Sequence, residues 1–278
     1  MIIVLIGVLG LIFGSFVNAL VWRLHEQAKL AGKKGKQADK KRQALSIARG
    51  RSMCPNCQHI LSTKDLVPVI SWLWLRGRCR YCAARIPDSP LVELTTGVLF
   101  AVSYALWPHS YHGLGLFQLV LWLGMLVLFV ALAVYDMRWF LLPDRLVLPL
   151  GLLAGLQAIV AALWTQDWRQ LYMTLLSAGI IFGLFWLLYQ LSKGAWIGGG
   201  DVKLAAPLGL IVAGPAYAFL MIFLASLLGT IASVPLLARG KQGFGKHIPF
   251  GPYLLAATVI VVLCGGQLAA WYQQLLLR

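Results

Sequence analysis

Only nine acidic residues occur in this 278-residue chain, and two of them stand where a carboxylate is costly to keep without a task. Asp136 closes the apolar run VLFVALAVYD, and Asp201 follows Gly198, Gly199 and Gly200 just before the next apolar run. An ionisable group at the edge of a long apolar segment is a functional hypothesis by default. Two carboxyl groups meeting in a partly dry site cannot both ionise, so they share a proton and titrate as a pair. One member is then a base that activates water against a carbonyl. The other is an acid that hydrogen-bonds the carbonyl oxygen and later protonates the leaving amine. Amide hydrolysis of this kind needs neither a metal nor a covalent nucleophile. The competing reading is structural, with each aspartate capping a helix end or pairing with a neighbour such as Arg138. Spacing alone leaves both readings open.

The glycines before Asp201 permit positive φ and close backbone approach, so an extended substrate could lie beside the carboxylate, which makes Gly198 and Gly200 candidate supporting residues. Lys203 either biases Asp201 toward its charged form or snorkels to headgroups. Asp144, in LLPDRL, reads as the N-cap of a helix, and Glu93, three residues after Pro90, as a first-turn carboxylate. A supporting catalytic role is the alternative for both. Glu26, Asp39, Asp65, Asp88 and Asp167 fall in polar stretches and read as solvated.

Four cysteines form a second constellation. Cys54 and Cys57, then Cys79 and Cys82, make two C-x-x-C turns at the spacing of a zinc ribbon or knuckle pair. Four thiolates complete a tetrahedron with no open position, so the expected metal, Zn2+, is structural. Two disulfides are the alternative, disfavoured if this loop faces a reducing cytoplasm. Cys264, deep in an apolar run, reads as a small packing residue.

The elements that must position these groups are membrane helices. Hydrophobic residues make up 60% of the chain and charged residues 12%, far from the composition of a soluble domain. Apolar runs near the bilayer-spanning length of about 20 residues recur, giving expected spans at 2–22, 91–107, 114–135, 146–164, 171–191, 204–212, 216–237 and 253–275. The sixth is short, and a re-entrant segment is its alternative. The first has no basic residues before it and no small-x-small site after it, so it reads as a retained helix rather than a signal. The fold class is therefore all-α and polytopic, with about eight transmembrane helices and a cytoplasmic zinc-binding loop. Its expected divisions are 1–23, the first helix; 24–89, the cysteine loop; and 90–278, the membrane core.

With the N-terminus outside, every Lys and Arg except Arg169 and Arg278 falls in an inner loop. The short loops agree without the long one, through Arg138, Arg145, Lys193, Lys203, Arg239, Lys241 and Lys246. In this arrangement the third span ends at Asp136 and the sixth begins beside Asp201, so the two side chains reach the same cytoplasmic face. The net charge of +15 is what topology and anionic headgroups already require, and nucleic acid is not an expected partner.

Six ordered motifs carry a resemblance: GSFVNALVWRL at 14–24, the paired C-x-x-C, PLVEL at 90–94, YDMRWFLLPD at 135–144, GGGDVKLAAPLG at 198–209 and IPFGPYL at 248–254. Over nearly its whole length the chain resembles the bacterial type IV prepilin peptidases. The resemblance implies an inner-membrane GxGD aspartyl protease with catalytic aspartates at Asp136 and Asp201. It implies cleavage of prepilins or type II secretion pseudopilins after Gly, at the cytoplasmic side. Members with the tetracysteine loop also N-methylate the new terminus with S-adenosylmethionine, but no glycine-rich fingerprint here marks residues for that cofactor. Presenilin-type proteases share the YD and GxGD fragments and lack the cysteine loop. The basic stretch near 29–51 is not expected to match relatives closely. Two readings of other classes are a proton-coupled transporter using the aspartates as a relay, and a membrane-tethered zinc-ribbon binding module.

Overall fold

The computed structural model describes all residues except 34, 48–49, 87–89, 238–248 and 277–278. Asp88, read above as solvated, and Lys34, Arg49, Arg239, Lys241, Lys246 and Arg278, which entered the charge argument, lie outside the described residues. Among the described residues the chain is helical, with two isolated β-bridges and no extended strand. In chain order the helices are α1 (Ile2–Lys29), α2 (Lys36–Ala44), α3 (Ile70–Trp74), α4 (Leu91–Ala105) and α5 (Gly113–Trp139). They continue as α6 (Asp144–Thr165), α7 (Trp168–Ser192), α8 (Gly199–Val212), α9 (Pro215–Leu237) and α10 (Gly251–Leu276).

Six of these, α1, α5, α6, α7, α9 and α10, are long and apolar enough to cross a membrane. The remaining two expected spans correspond to α4 and α8, of 15 and 14 residues. At 1.5 Å per residue these reach only about 22 Å, short of the roughly 30 Å hydrocarbon core. α8 starts earlier than the apolar run suggested, so that Asp201 lies inside its first turn. α1 continues past the end of its apolar run to Lys29, since hydropathy marks where the apolar solvent ends and not where the helix does.

The chain separates into two compact units, Met1–Ala105 and Leu106–Arg278. In the first, α1 packs along α4 through small residues. A Cβ at Gly10 would lie 2.7 Å from the Thr96 carbonyl oxygen, and one at Gly14 would lie 2.5 Å from Glu93 Cα. Gly10 and Gly14 are four apart and so share one face, the small-xxx-small device by which membrane helices bring their backbones close. Arg23, buried near the end of α1, donates to the carbonyls of Ser46, Ile47 and Gly50, tying the following loop to the helix.

In the second unit α8 is the central element. It packs against α6, α7, α9 and α10 and buries Val202, Leu204, Ala205, Leu208, Ile211 and Val212. A short helix surrounded by others can be apolar all round, which is why its sequence shows no amphipathic stripe. Close approach to α7 depends on Gly209, whose Cβ would fall 2.4 Å from Ala178 Cα. α5 contributes a core of Trp122, Met125, Leu126, Phe129 and Leu132.

Candidate active site and metal centre

Asp136 lies in the last turn of α5, which ends at Trp139; Phe140 then turns left-handed and returns its N–H to the Asp136 carbonyl. Asp201 lies in the first turn of α8, after the cap residue Gly198. Both carboxyl groups are buried, at 6% and 9% exposure. They meet at Gly251, the first residue of α10: a Cβ there would lie 2.6 Å from Asp136 Oδ2 and 3.6 Å from Asp201 Oδ1. The two oxygens can therefore be no further apart than the sum of those distances. A Cβ at Gly198 would likewise lie 3.5 Å from Asp201 Oδ2, so both glycines stand beside the carboxyl groups.

The amino ends of α8 and α10 thus converge on the pair, and their free N–H groups are the natural partners of negative charge. Among the described residues neither aspartate has a cationic partner. Pairing of Asp136 with Arg138 does not occur; the Arg138 guanidinium stands over the Trp139 ring.

The glycines before Asp201 serve differently from the expectation. Gly198 is extended, with φ −69° and ψ 143°, and none of Gly198, Gly199 and Gly200 has positive φ. What the sequence needs here is space, because a Cβ at Gly200 would sit 3.0 Å from Leu142 Cβ. Lys203 is not directed to Asp201. Its Nζ pairs with Asp144 Oδ1 at 2.8 Å, and both side chains are more than half exposed. Asp144 is not the N-cap of α6 either; Pro143 holds that position, with φ −71°, and Asp144 is the first helical residue. A side-chain cap occurs instead on α7, where Asp167 accepts from the Gln170 N–H at 3.1 Å.

Glu93 stands in the first turn of α4 as anticipated and also accepts the Val69 N–H, holding that residue at φ +61°. Gly251 was not anticipated. Its signal was the Gly-Pro pair opening the last apolar run, a helix start with an amide end to offer and no side chain in the way.

The cysteines meet as well. The Sγ atoms of Cys54, Cys57, Cys79 and Cys82 all lie within 4.8 Å of one another, and Cys54 and Cys82 are 3.9 Å apart. Four sulfurs about 2.3 Å from one ion would stand about 3.8 Å apart, so the cluster fits a tetrahedral metal. No disulfide joins them. Each C-x-x-C forms the same turn. Gln58 and Ala83, four residues after the first cysteine, have positive φ and donate their N–H back to that cysteine's carbonyl. Flanking bridges, Met53 with Ile60 and Arg78 with Arg85, close each turn. Cys264 is half-buried and apart from this group.

Comparison with known proteins finds two family matches along the chain. Residues 8–107 match the bacterial peptidase A24 N-terminal domain, and residues 122–234 match the type IV leader peptidase family. The chain is 32% identical to the prepilin leader peptidase/N-methyltransferase of Aeromonas salmonicida, over 96% of this chain and 92% of that one. It is 34% identical to the protein of the same name from Stutzerimonas stutzeri, with the same coverage. Identity is 36% to the type 4 prepilin-like proteins leader peptide-processing enzyme of Escherichia coli O78:H11, over 93% of each. No solved structure matches. None of these relatives supports a transporter or a nucleic-acid-binding module.

Proposed function

The chain belongs to the type IV leader peptidase family, and on that premise we propose that it removes the leader peptide of prepilins or pseudopilins with Asp136 and Asp201, then N-methylates the new terminus. The observation that carries the catalytic assignment is the meeting of two buried carboxyl groups at the amide start of α10, with no ion pair to a cation among the described residues. Such a pair holds one proton between two carboxyl groups. The ionised member takes a proton from water as the water attacks the scissile carbonyl, while the protonated member donates to the carbonyl oxygen. On collapse the amine leaves with a proton from the pair, which returns to its starting state. Gly200 lets Leu142 pack against the backbone beside Asp201.

The charge distribution supports an inner-membrane protein with the N-terminus periplasmic and the aspartates and cysteine loop cytoplasmic. Cleavage after Gly at that face follows from the family. Cys54, Cys57, Cys79 and Cys82 hold Zn2+ in a closed, structural site, and S-adenosylmethionine is the methyl donor.

The test is cleavage of a purified prepilin by the protein in detergent. Asp136→Asn and Asp201→Asn are each expected to lower the rate by at least ~10³-fold, with the double variant little worse, because the two act as a unit. Undiminished cleavage by either folded variant would remove the pair from the mechanism.

A further inference from the structure

Residues 66–75, LVPVISWLWL, carry no charge, although the loop around them is polar; Lys64 and Asp65 stand on one side and Arg76 on the other. An apolar stretch of this length is too short to span a bilayer and belongs in a core or at a membrane interface. Only part of it is in a core. α3 lies within it, and Ile70, Leu73 and Trp74, three and four residues apart and so on one helical face, are 63%, 61% and 82% exposed. The depth of that face follows from its neighbours. Val69, which precedes α3, donates its N–H to Glu93, and Glu93 is where α4 meets α1 at Gly14. Gly14 lies eight residues before Trp22, the end of the α1 apolar run, which is about 12 Å of helix. The loop is also seated along that part of α1, since Ile12 and Phe16 line one cavity together with Val67 and Leu75. α3 therefore starts level with the apolar part of a helix long enough to cross a membrane, not beyond its end.

We propose that α3 is a membrane-interfacial helix whose Ile70, Leu73 and Trp74 enter the bilayer at the boundary between acyl chains and headgroups. The loop that carries the cysteines is then pinned to lipid at a place of its own, besides the helices at its two ends. Three features fit lipid as the occupant of this face. The N–H groups of Val69, Ser71, Leu73 and Leu75 and the Ser71 hydroxyl all have partners within the protein, which a segment in contact with acyl chains requires. Tryptophan is the side chain suited to the boundary, with an apolar body and an N–H for the headgroup level, and exposed Arg76 and Arg78 follow it with long stems and charged ends that reach phosphates. Leu91 and Leu94, on either side of Glu93 in α4, are 66% and 43% exposed and continue the apolar surface. The inference requires only that α1 stands in a bilayer, and it is independent of the peptidase and methyltransferase readings.

The test needs no variant. The full-length wild type is reconstituted into vesicles of phosphatidylcholine and phosphatidylglycerol containing a phospholipid with a diazirine on its acyl chain, irradiated, digested with trypsin and mapped by mass spectrometry. Cleavage after Lys64 and Arg76 isolates the segment as one peptide, 65–76. A lipid-mass adduct is expected on that peptide at Ile70, Leu73 or Trp74, as it is on α1. None is expected on α2, whose Gln37 and Lys41 line a second cavity with Glu26, past the end of the apolar run. A labelled α1 beside an unlabelled 65–76 peptide would overturn the assignment. So would labelling of this peptide that disappears on adding saturating prepilin, since the face would then belong to the substrate and not to lipid.

Discussion

Gly251→Ala is the sharpest single-atom perturbation of the proposed catalytic pair, because it adds one methyl group and no charge. The new carbon would lie 2.6 Å from Asp136 Oδ2, whereas ordinary contact begins at 3.4 Å. Relief therefore requires the Asp136 carboxyl or the start of α10 to move by about 0.8 Å, and misplacement near 1 Å can cost ~10²-fold in rate. Asp201 Oδ1, at 3.6 Å, is already in ordinary contact and has no reason to move. The expected outcome is a fall in kcat for prepilin cleavage of about 30–100-fold, equivalent to about 2–3 kcal/mol at the transition state. KM should change little, since the displaced group is not a binding element. The assay is initial-rate cleavage in detergent, read by mass spectrometry of the released leader. Gly266→Ala, in the same helix with open space around its Cβ, is the control and should retain full activity. Equal rates for Gly251→Ala and the wild type would refute the placement of the aspartates at the α10 terminus.

Lys203→Met should leave cleavage within about threefold of the wild type and stability within ~1 kcal/mol, because its partner is the exposed Asp144 and not the catalytic pair; kinetics and thermal melting check both. Gly14→Leu should separate α1 from α4, where even a Cβ would lie 2.5 Å from backbone, and cost about 2 kcal/mol or more, read as protease sensitivity of the first 105 residues. At Asp65, burial pushes the carboxyl up, but hydrogen bonds from Arg80 and Ser62 outweigh it and hold it below its ordinary value. That stabilisation is complete above the unfolded value of about 3.9 and is lost as pH falls through the lower folded value. The wild type should therefore melt above Asp65→Asn at pH 6, with the gap closing below about pH 4; a gap independent of pH would contradict this.

The meeting of Asp136 and Asp201 was legible because carboxylates are scarce and both stand at the ends of apolar runs. The cysteine cluster was legible because its ligand spacing is local. Three features were not. Gly251 has no side chain and lies far from both aspartates in the chain, so nothing in its type announces a place between them. Glycines at 198–200 permit both left-handed backbone and close approach, and sequence does not separate the two; the structure shows only the second, at Gly200 against Leu142. Lys203 lies two residues from Asp201, but helical geometry turns i and i+2 to different faces, so it reaches Asp144 on α6 instead. The extra length of α1 escaped because the segment beyond its apolar run is anchored by carbonyls of a later loop, a tertiary interaction that hydropathy does not report.

The two cysteine turns are alike in backbone but not in surroundings. The first cysteine of each, Cys54 and Cys79, is buried, while Cys57 is exposed and Cys82 half-exposed. A metal held there has an inner pair of ligands that solvent does not reach and an outer pair that it does. Exchange must then proceed from one side, with an incoming chelator displacing Cys57 first and the buried thiolates last. Loading should run in reverse, and its rate should respond to substitutions around the outer sulfurs.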